Sequence, residues 1–185
     1  MPHVVCPWWL GYFLVSPVRR LWQDPARILA PYVRDGMTVL EPGPGMGFFT
    51  LDLARMVGPS GRVVAVDIQP RMLARLQRRA ARAGLAERID ARLAGPDSMP
   101  LDDLAGAADF ALAFAMVHEL PSAARFFAQT AAALKPGAQL LLVEPGGHVK
   151  AAAFDDELKL AAGAGLVLAD RPKVGRSHAA LLKKA

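Results

Sequence analysis

Apolar positions in this chain alternate between two rhythms. Short, mostly apolar runs closed by an acid or a turn former occupy residues 38–41, 63–67, 110–115 and 139–144, and IDARL at 89–93 predicts a further strand by its alternation. Runs of that length, rich in Val, Leu and Ala and lacking period-two alternation, predict strands buried on both faces. Between them lie stretches with apolar residues at helical spacing, which predict helices over 48–57, 70–83, 121–134 and 151–162. Another helix opens in DPARILAPYV, where Asp24 suits the N-cap and Pro25 the first helical position. Gly58 to Gly61 closes one helix and Gly84 another, whereas residues 94–107 carry turn formers with little periodicity and read mostly as loop.

Strands that alternate with helices require a parallel sheet covered on both faces, a doubly wound α/β fold. The end of the chain differs. Strands around 166–170 and 178–182 are joined directly through PKVGRS, and so short a link requires an antiparallel hairpin. No internal repeat or linker interrupts the pattern.

The chemistry-bearing motif is EPGPGMG, Glu41 to Gly47, between the first strand and the helix that follows. Gly43, Gly45 and Gly47 on alternate positions make a tight strand-to-helix turn where backbone can approach a ligand. The dinucleotide fingerprint needs its third glycine at position 48, which is Phe48, and no Lys-Ser or Lys-Thr pair follows to make a P-loop. A carboxylate ahead of the turn would repel a pyrophosphate but suits an ammonium group. Asp67 ends the second strand twenty residues beyond Gly47, where a carboxylate can accept both hydroxyls of a ribose.

Together, Glu41, the three glycines and Asp67 resemble the class I S-adenosylmethionine-dependent methyltransferases. The resemblance continues through ADFALAFAMVHELP and LKPGAQLLLVEP and spans about residues 25–184. It implies a Rossmann-like, mostly parallel seven-stranded sheet with an antiparallel last strand, which the terminal hairpin supports independently. One methyltransferase domain over residues 1–185 is expected, with residues 1–24 as a lid-like or interface segment. S-adenosylmethionine is the expected cofactor and S-adenosylhomocysteine its product. Glu41 would face the methionine end, Gly43, Gly45 and Gly47 the backbone cradle, Asp67 the ribose and Ile68 the adenine face. Many relatives place a Gly-Asp pair and then Leu-Pro after the third strand. Here Met99-Pro100 aligns with the Leu-Pro and Gly95 falls where the acid belongs, so Asp97 or Ser98 is the expected adenine partner. Phe114, at the end of the fourth strand, completes the cofactor set.

Composition narrows the classes. Hydrophobic content of 53% and charged content of 21% over 185 residues fit one globular domain. The apolar stretch VVCPWWLGYFLV is shorter than the roughly 20 residues of a membrane span, is broken by Pro7 and Gly11, and has neither a basic leader nor a cleavage site. The expected location is cytoplasmic, without a membrane partner. A single cysteine, Cys6, allows no internal disulfide. It also argues against arsenite as substrate, since arsenite methyltransferases, whose cofactor domain looks similar, hold it on several cysteines. Trp8, Trp9, Tyr12 and Phe13 either pack on the core, wall a dry pocket, or form a homodimer interface.

The formal charge of +5 raises nucleic acid as a partner. Arg71, Arg75, Arg78 and Arg82, however, fall on one side of a helix with no aromatic residues between them, the pattern of a solvated outer face. The Asn/Asp-Pro-Pro-aromatic signature of enzymes that methylate nucleic-acid amino groups is absent after the fourth strand, as is the acid and Asn set of metal-dependent O-methyltransferases. His118, Glu119, Glu144 and His148 gather on the loops after the fourth and fifth strands instead. His118 and His148 are the candidate catalytic residues, as general bases, and no metal site is assigned. The expected reaction is methyl transfer to a small-molecule nucleophile. The alternatives are an RNA methyltransferase using the arginine face and a non-catalytic S-adenosylmethionine-binding partner protein.

Overall fold

A computed structural model describes residues 19–20, 23–95 and 98–185. Cys6, Trp8, Trp9, Tyr12, Phe13 and Asp97 lie outside the described residues. The chain divides into two compact units, with the boundary between Pro100 and Leu101. Counting strands in chain order, the seven-stranded sheet has the order 3-2-1-4-5-7-6, as the Rossmann-like expectation requires.

The first unit holds α1 (Pro25–Leu29), β1 (Thr38–Pro42), α2 (Thr50–Met56), β2 (Arg62–Asp67), α3 (Pro70–Arg82) and β3 (Ile89–Leu93). Asp24 caps α1 by accepting from Ala26 N–H at 3.1 Å. The helix stops at once, because Pro31 cannot continue the ladder, and is five residues long. The strands run parallel, with Glu41 opposite Ala65 and Asp67 opposite Leu93. Val63, Val64 and Ala65 are fully buried, which is why β2 carries no alternating pattern. In α3, Met72, Leu73, Leu76 and Ala80 are buried while Arg71, Arg75, Arg78 and Arg82 stay exposed, so the arginines do form an outer face.

The second unit holds β4 (Ala108–Phe114), α4 (Ala123–Ala133), β5 (Leu134–Glu144), α5 (Ala151–Gly163), β6 (Leu166–Asp170) and β7 (His178–Lys184). Strands β4 and β5 are parallel, and β7 lies antiparallel between β5 and β6. The inferred hairpin is therefore present.

Several boundaries differ from the sequence reading. Helix α2 begins at Thr50 rather than at 48, because Gly47 at φ +83° breaks the helical path just before it. Helix α4 begins at Ala123, with Ser122 as N-cap, so Glu119 is not an acid at the start of that helix but part of a separate 3-10 turn, Val117–Glu119. Strand β5 begins at Leu134, five residues early, since Leu134 pairs with Ala108 across a bulge although Lys135, Pro136 and Gly137 are exposed and read as a turn. The loop over 94–107 contains a 3-10 turn, Asp102–Leu104, with Leu104 buried.

Gly61 marks the closest approach of a glycine to other backbone in the first unit. A Cβ there would lie 2.4 Å from the Val57 carbonyl oxygen and 2.7 Å from that of Met37. Both oxygens accept backbone hydrogen bonds, from Gly36 at 2.8 Å and Arg62 at 3.0 Å, and cannot withdraw independently. Gly61→Ala is expected to lower stability by about 1–3 kcal/mol, measured by urea denaturation, with the denaturant slope unchanged.

Candidate functional site

In the first unit the chain leaves β1 through Glu41 and turns at Gly43, Gly45 and Gly47, which have φ of +69°, +54° and +83°. Alternate left-handed residues at three positions are what only glycine adopts freely, so the GxGxG spacing is a backbone requirement before it is a matter of space. The three glycines then divide the work. Gly43 N–H donates to Val66 O at 2.9 Å and ties the turn to β2. Gly45 faces open space, with nothing within 4 Å of where a Cβ would sit. Gly47 packs on α3, where a Cβ would meet Leu76 Cδ1 at 2.4 Å.

Asp67, buried at the tip of β2, braces the same turn. Gly45 N–H donates to its Oδ2 at 3.1 Å and Gln69 N–H to its Oδ1 at 2.8 Å. Ile68, next in sequence, is 46% exposed, an unusual position for so apolar a side chain. Ser98 is also exposed, its carbonyl accepting from Gly95 N–H at 3.0 Å.

Glu41 is more costly to hold. It is 3% exposed, and its Oε2 has no hydrogen-bond partner among the described residues. Burial pushes its carboxyl up to about 8, with the charge of Asp67 adding to the rise. The nearby Thr50 hydroxyl opposes that rise yet is itself without an aligned partner. An unsatisfied buried carboxyl on an otherwise well-packed strand is costly to hold.

Sequence reasoning missed Arg79. Its guanidinium donates to Met46 O inside the glycine turn. The signal was present, because Arg79 leaves the register of the four outer arginines and falls beside Leu76 and Ala80, on the buried side of α3.

In the second unit, β4 ends at Phe114, which is half-buried, and the chain turns through Ala115 at φ +55°. A left-handed alanine is uncommon and is held here by its N–H donating to Val143 O at 2.7 Å. The turn delivers Val117 and His118 to Glu144, the fully buried last residue of β5. Val117 N–H donates to Glu144 Oε1 at 2.8 Å, and His118 Nδ1 bonds Glu144 Oε2. Glu119 Oε1 lies 4.0 Å from His118 Nε2. The hydrogen bond to Glu144 raises the His118 pKa above the ordinary imidazole value, with partial burial opposing and Glu119 and Glu157 adding to the rise.

Glu157, on α5, was not singled out in the sequence. It is 8% exposed, its Oε2 is unpartnered, and burial together with the charge of Glu144 pushes it up to about 7. His148 does not join this group: it is exposed in the turn after β5, its N–H donating to Pro145 O at 2.9 Å. Instead His178, stacked on Phe154, donates from Nε2 to Val149 O at 3.1 Å and steadies that turn. Among the described residues no three His, Cys, Asp or Glu side chains are placed to hold a metal ion, and no helix is long and apolar enough to cross a membrane.

Comparison with known proteins agrees with this geometry. The methyltransferase domain family matches residues 39–137. An arsenite methyltransferase from Halobacterium salinarum is 30% identical over 125 residues, 68% of this chain and 30% of the relative. A ubiquinone/menaquinone biosynthesis C-methyltransferase from Enterobacter sp. is 30% identical over 128 residues, 69% of this chain and 49% of the relative. The chain thus spans half or less of the length of these relatives. The crystal structure of a SAM dependent methyltransferase from Aquifex aeolicus superposes with a TM-score of 0.88 at 22% identity, covering 98% of this chain and all of that one.

The state of Glu41 has a consequence for stability. Its folded pKa lies above the unfolded value, so its contribution is intact below about pH 4.5 and is lost as pH rises through about 8. Glu41→Gln is expected to leave stability at pH 4 nearly unchanged and to raise it by about 1–4 kcal/mol at pH 9, measured by denaturation at the two pH values.

Proposed function

The chain belongs to the methyltransferase domain family of class I S-adenosylmethionine-dependent enzymes, and from that premise we propose that it transfers a methyl group from S-adenosylmethionine to a small-molecule nucleophile. The observation that carries the reading is the pairing, on one glycine turn, of an unsatisfied buried carboxyl at Glu41 with a braced carboxylate at Asp67. The first suits an ammonium group and the second the vicinal hydroxyls of a ribose. The open side of Gly45 admits the ligand's backbone-facing edge, and the exposed Ile68 supplies an apolar surface for a purine. Ser98 and Asp97 belong to the loop expected to meet the adenine edge, and Phe114 to the end of β4. When bound, the cofactor supplies an electrophilic methyl group on a sulfonium.

The chain's own contribution is then orientation, exclusion of water and, for a nucleophile that arrives protonated, a base. His118 fills that last role. A carboxylate only accepts, so the bond to Glu144 places the proton on Nδ1 and leaves the Nε2 lone pair of the neutral ring for the substrate. The small-molecule class is supported by the two relatives named for arsenite and for quinone biosynthesis. Arsenite itself does not suit a chain with one cysteine.

Calorimetry tests the reading directly. S-adenosylhomocysteine should bind in the micromolar range, and Asp67→Ala should weaken it by at least about tenfold through loss of charge-assisted hydrogen bonds. Tight NAD binding in its place sinks the assignment. Glu41 gives the pH dependence a sign. Below about pH 8 the free carboxyl is protonated, so binding an ammonium group must release a proton, and affinity should rise from pH 6 toward 8. In Glu41→Gln the proton release, read from heats in buffers of different ionisation enthalpy, should disappear.

A further inference from the structure

The second unit holds a buried carboxyl that the reaction as described so far does not use. Glu157 sits on the buried side of α5 with Phe154 and Ala161, yet its Oε2 meets no donor. It acts electrostatically on both Glu144 and His118. Three elements each bring one carboxyl group to act on the imidazole: Glu144 from β5, bonded to Nδ1, Glu119 from the turn after β4, 4.0 Å from Nε2, and Glu157 from α5, which acts on it electrostatically. Among the described residues, the groups acting on Glu157 are Glu144 and His118. Leaving a carboxyl buried and unpartnered is costly, so its persistence beside an anchored imidazole calls for a chemical reason.

The charge of this surround discriminates among nucleophiles. A phenol, an alcohol or a carbon acid that loses a proton to His118 becomes an anion in the field of the carboxyl groups that act on the imidazole. Each of them that is ionised raises the cost of that anion, Glu157 increasingly so above about pH 7. An alkylammonium ion is attracted by the same groups and becomes neutral when it loses its proton. Carboxylic acid substrates are repelled from the outset. The same three groups stabilise the imidazolium that results, which is the half of the proton transfer that favours product.

We propose that His118, Glu144 and Glu157 form the proton-accepting site for an amine substrate that enters as its ammonium ion, with Glu157 as a positioning residue that sets the charge felt by His118. This rests on the methyl-transfer reading above and adds the acceptor class to it. In the step assigned here, one N–H bond of the ammonium breaks and an Nε2–H bond forms on His118. The electron pair stays on the amine nitrogen, where it is the nucleophile for the sulfonium methyl. The imidazolium afterwards releases its proton to water through its partly exposed edge, 27% accessible on the side chain. Glu144 keeps the Nδ1 proton throughout and orients the ring. Glu157 touches no reacting atom and acts through the imidazole.

The test uses the full chain with isotope-labelled histidine and follows the His118 ring signals against pH, with S-adenosylhomocysteine binding measured on the same samples. In the wild type the Nδ1–H tautomer should be seen at high pH. The midpoint should fall in Glu157→Gln and fall further in Glu144→Gln. Glu157→Met, which fills a similar volume without a polar atom, should shift the midpoint as Glu157→Gln does and serves if the amide does not fold. A His118 titration that is the same in the wild type and both Glu157 variants overturns the cluster. The acceptor class is read from S-adenosylhomocysteine released in the presence of a broad library of small amines, phenols, thiols and carboxylic acids. Turnover confined to amines, with its acid limb moving as the His118 midpoint moves in Glu157→Gln, is the expected result. Turnover of phenols or carboxylic acids with amines inert, or no turnover of any amine by protein that binds S-adenosylhomocysteine, overturns it. Failure to bind S-adenosylhomocysteine at all overturns the methyl-transfer reading instead, and the cluster is then judged by its titration.

Discussion

Keeping a carboxyl group away from water at the end of a strand is the constraint on which the rest of this structure turns. It occurs three times, at Glu41 on β1, Asp67 on β2 and Glu144 on β5, each less than 9% exposed. Burying such a group costs several kcal/mol unless partners are supplied, and the local architecture is largely the supply of those partners. Asp67 is met by two backbone N–H groups, one of them from the glycine turn. Glu144 is met by one backbone N–H and one imidazole. Glu41 alone keeps an oxygen with no donor.

That difference divides the chemistry. In the first unit, the glycine turn has to take left-handed backbone at Gly43 and Gly45 so that one N–H reaches Val66 and the other reaches Asp67. Arg79 ties Met46 of the same turn to α3, and Leu76 packs where Gly47 leaves space. The turn is thereby tied to β2 and α3 on one side and open at Gly45 on the other. In the second unit, the strained Ala115 re-aims the chain so that a backbone N–H and a side chain from consecutive residues converge on one carboxylate. A residue in sparsely populated backbone space is tolerated where the neighbouring bonds over-determine it, here Val143 and Glu144 on the adjacent strand.

Much of this was legible in the sequence, for local reasons. Buried parallel strands announce themselves as short apolar runs, and the link through PKVGRS is too short for anything but a hairpin. The acids at strand ends and the alternate glycines stood out because turn chemistry is written in adjacent residues. The misplaced boundaries have different causes. Lys135 to Gly137 looks like a turn by composition, yet the strand starts at Leu134 because Leu134 pairs with the distant Ala108. At the start of α4 the cause is local, since Pro121 looks like a helix start but the Ser122 side chain accepts from Arg125 N–H and is the cap. Arg79 and Glu157 escaped notice because a charged residue on an amphipathic helix reads as solvated. Only their register with Leu76 and Ala80, or with Phe154 and Ala161, marked them as inward-facing.

The sequence by itself determined which elements form, where acids and glycines fall on them, and hence the family and the class of cofactor. Periodicity and turn conformation depend on residues within a few positions of one another, so the linear pattern contains them. Tertiary structure alone decided the proton chemistry. Whether a carboxyl is satisfied, as at Asp67, or orphaned, as at Glu41 and Glu157, depends on donors brought from tens of residues away. It also decided that His118, rather than His148, meets a buried acid, because the ring lies 26 positions from Glu144 in the chain and reaches it only once β4 and β5 are paired.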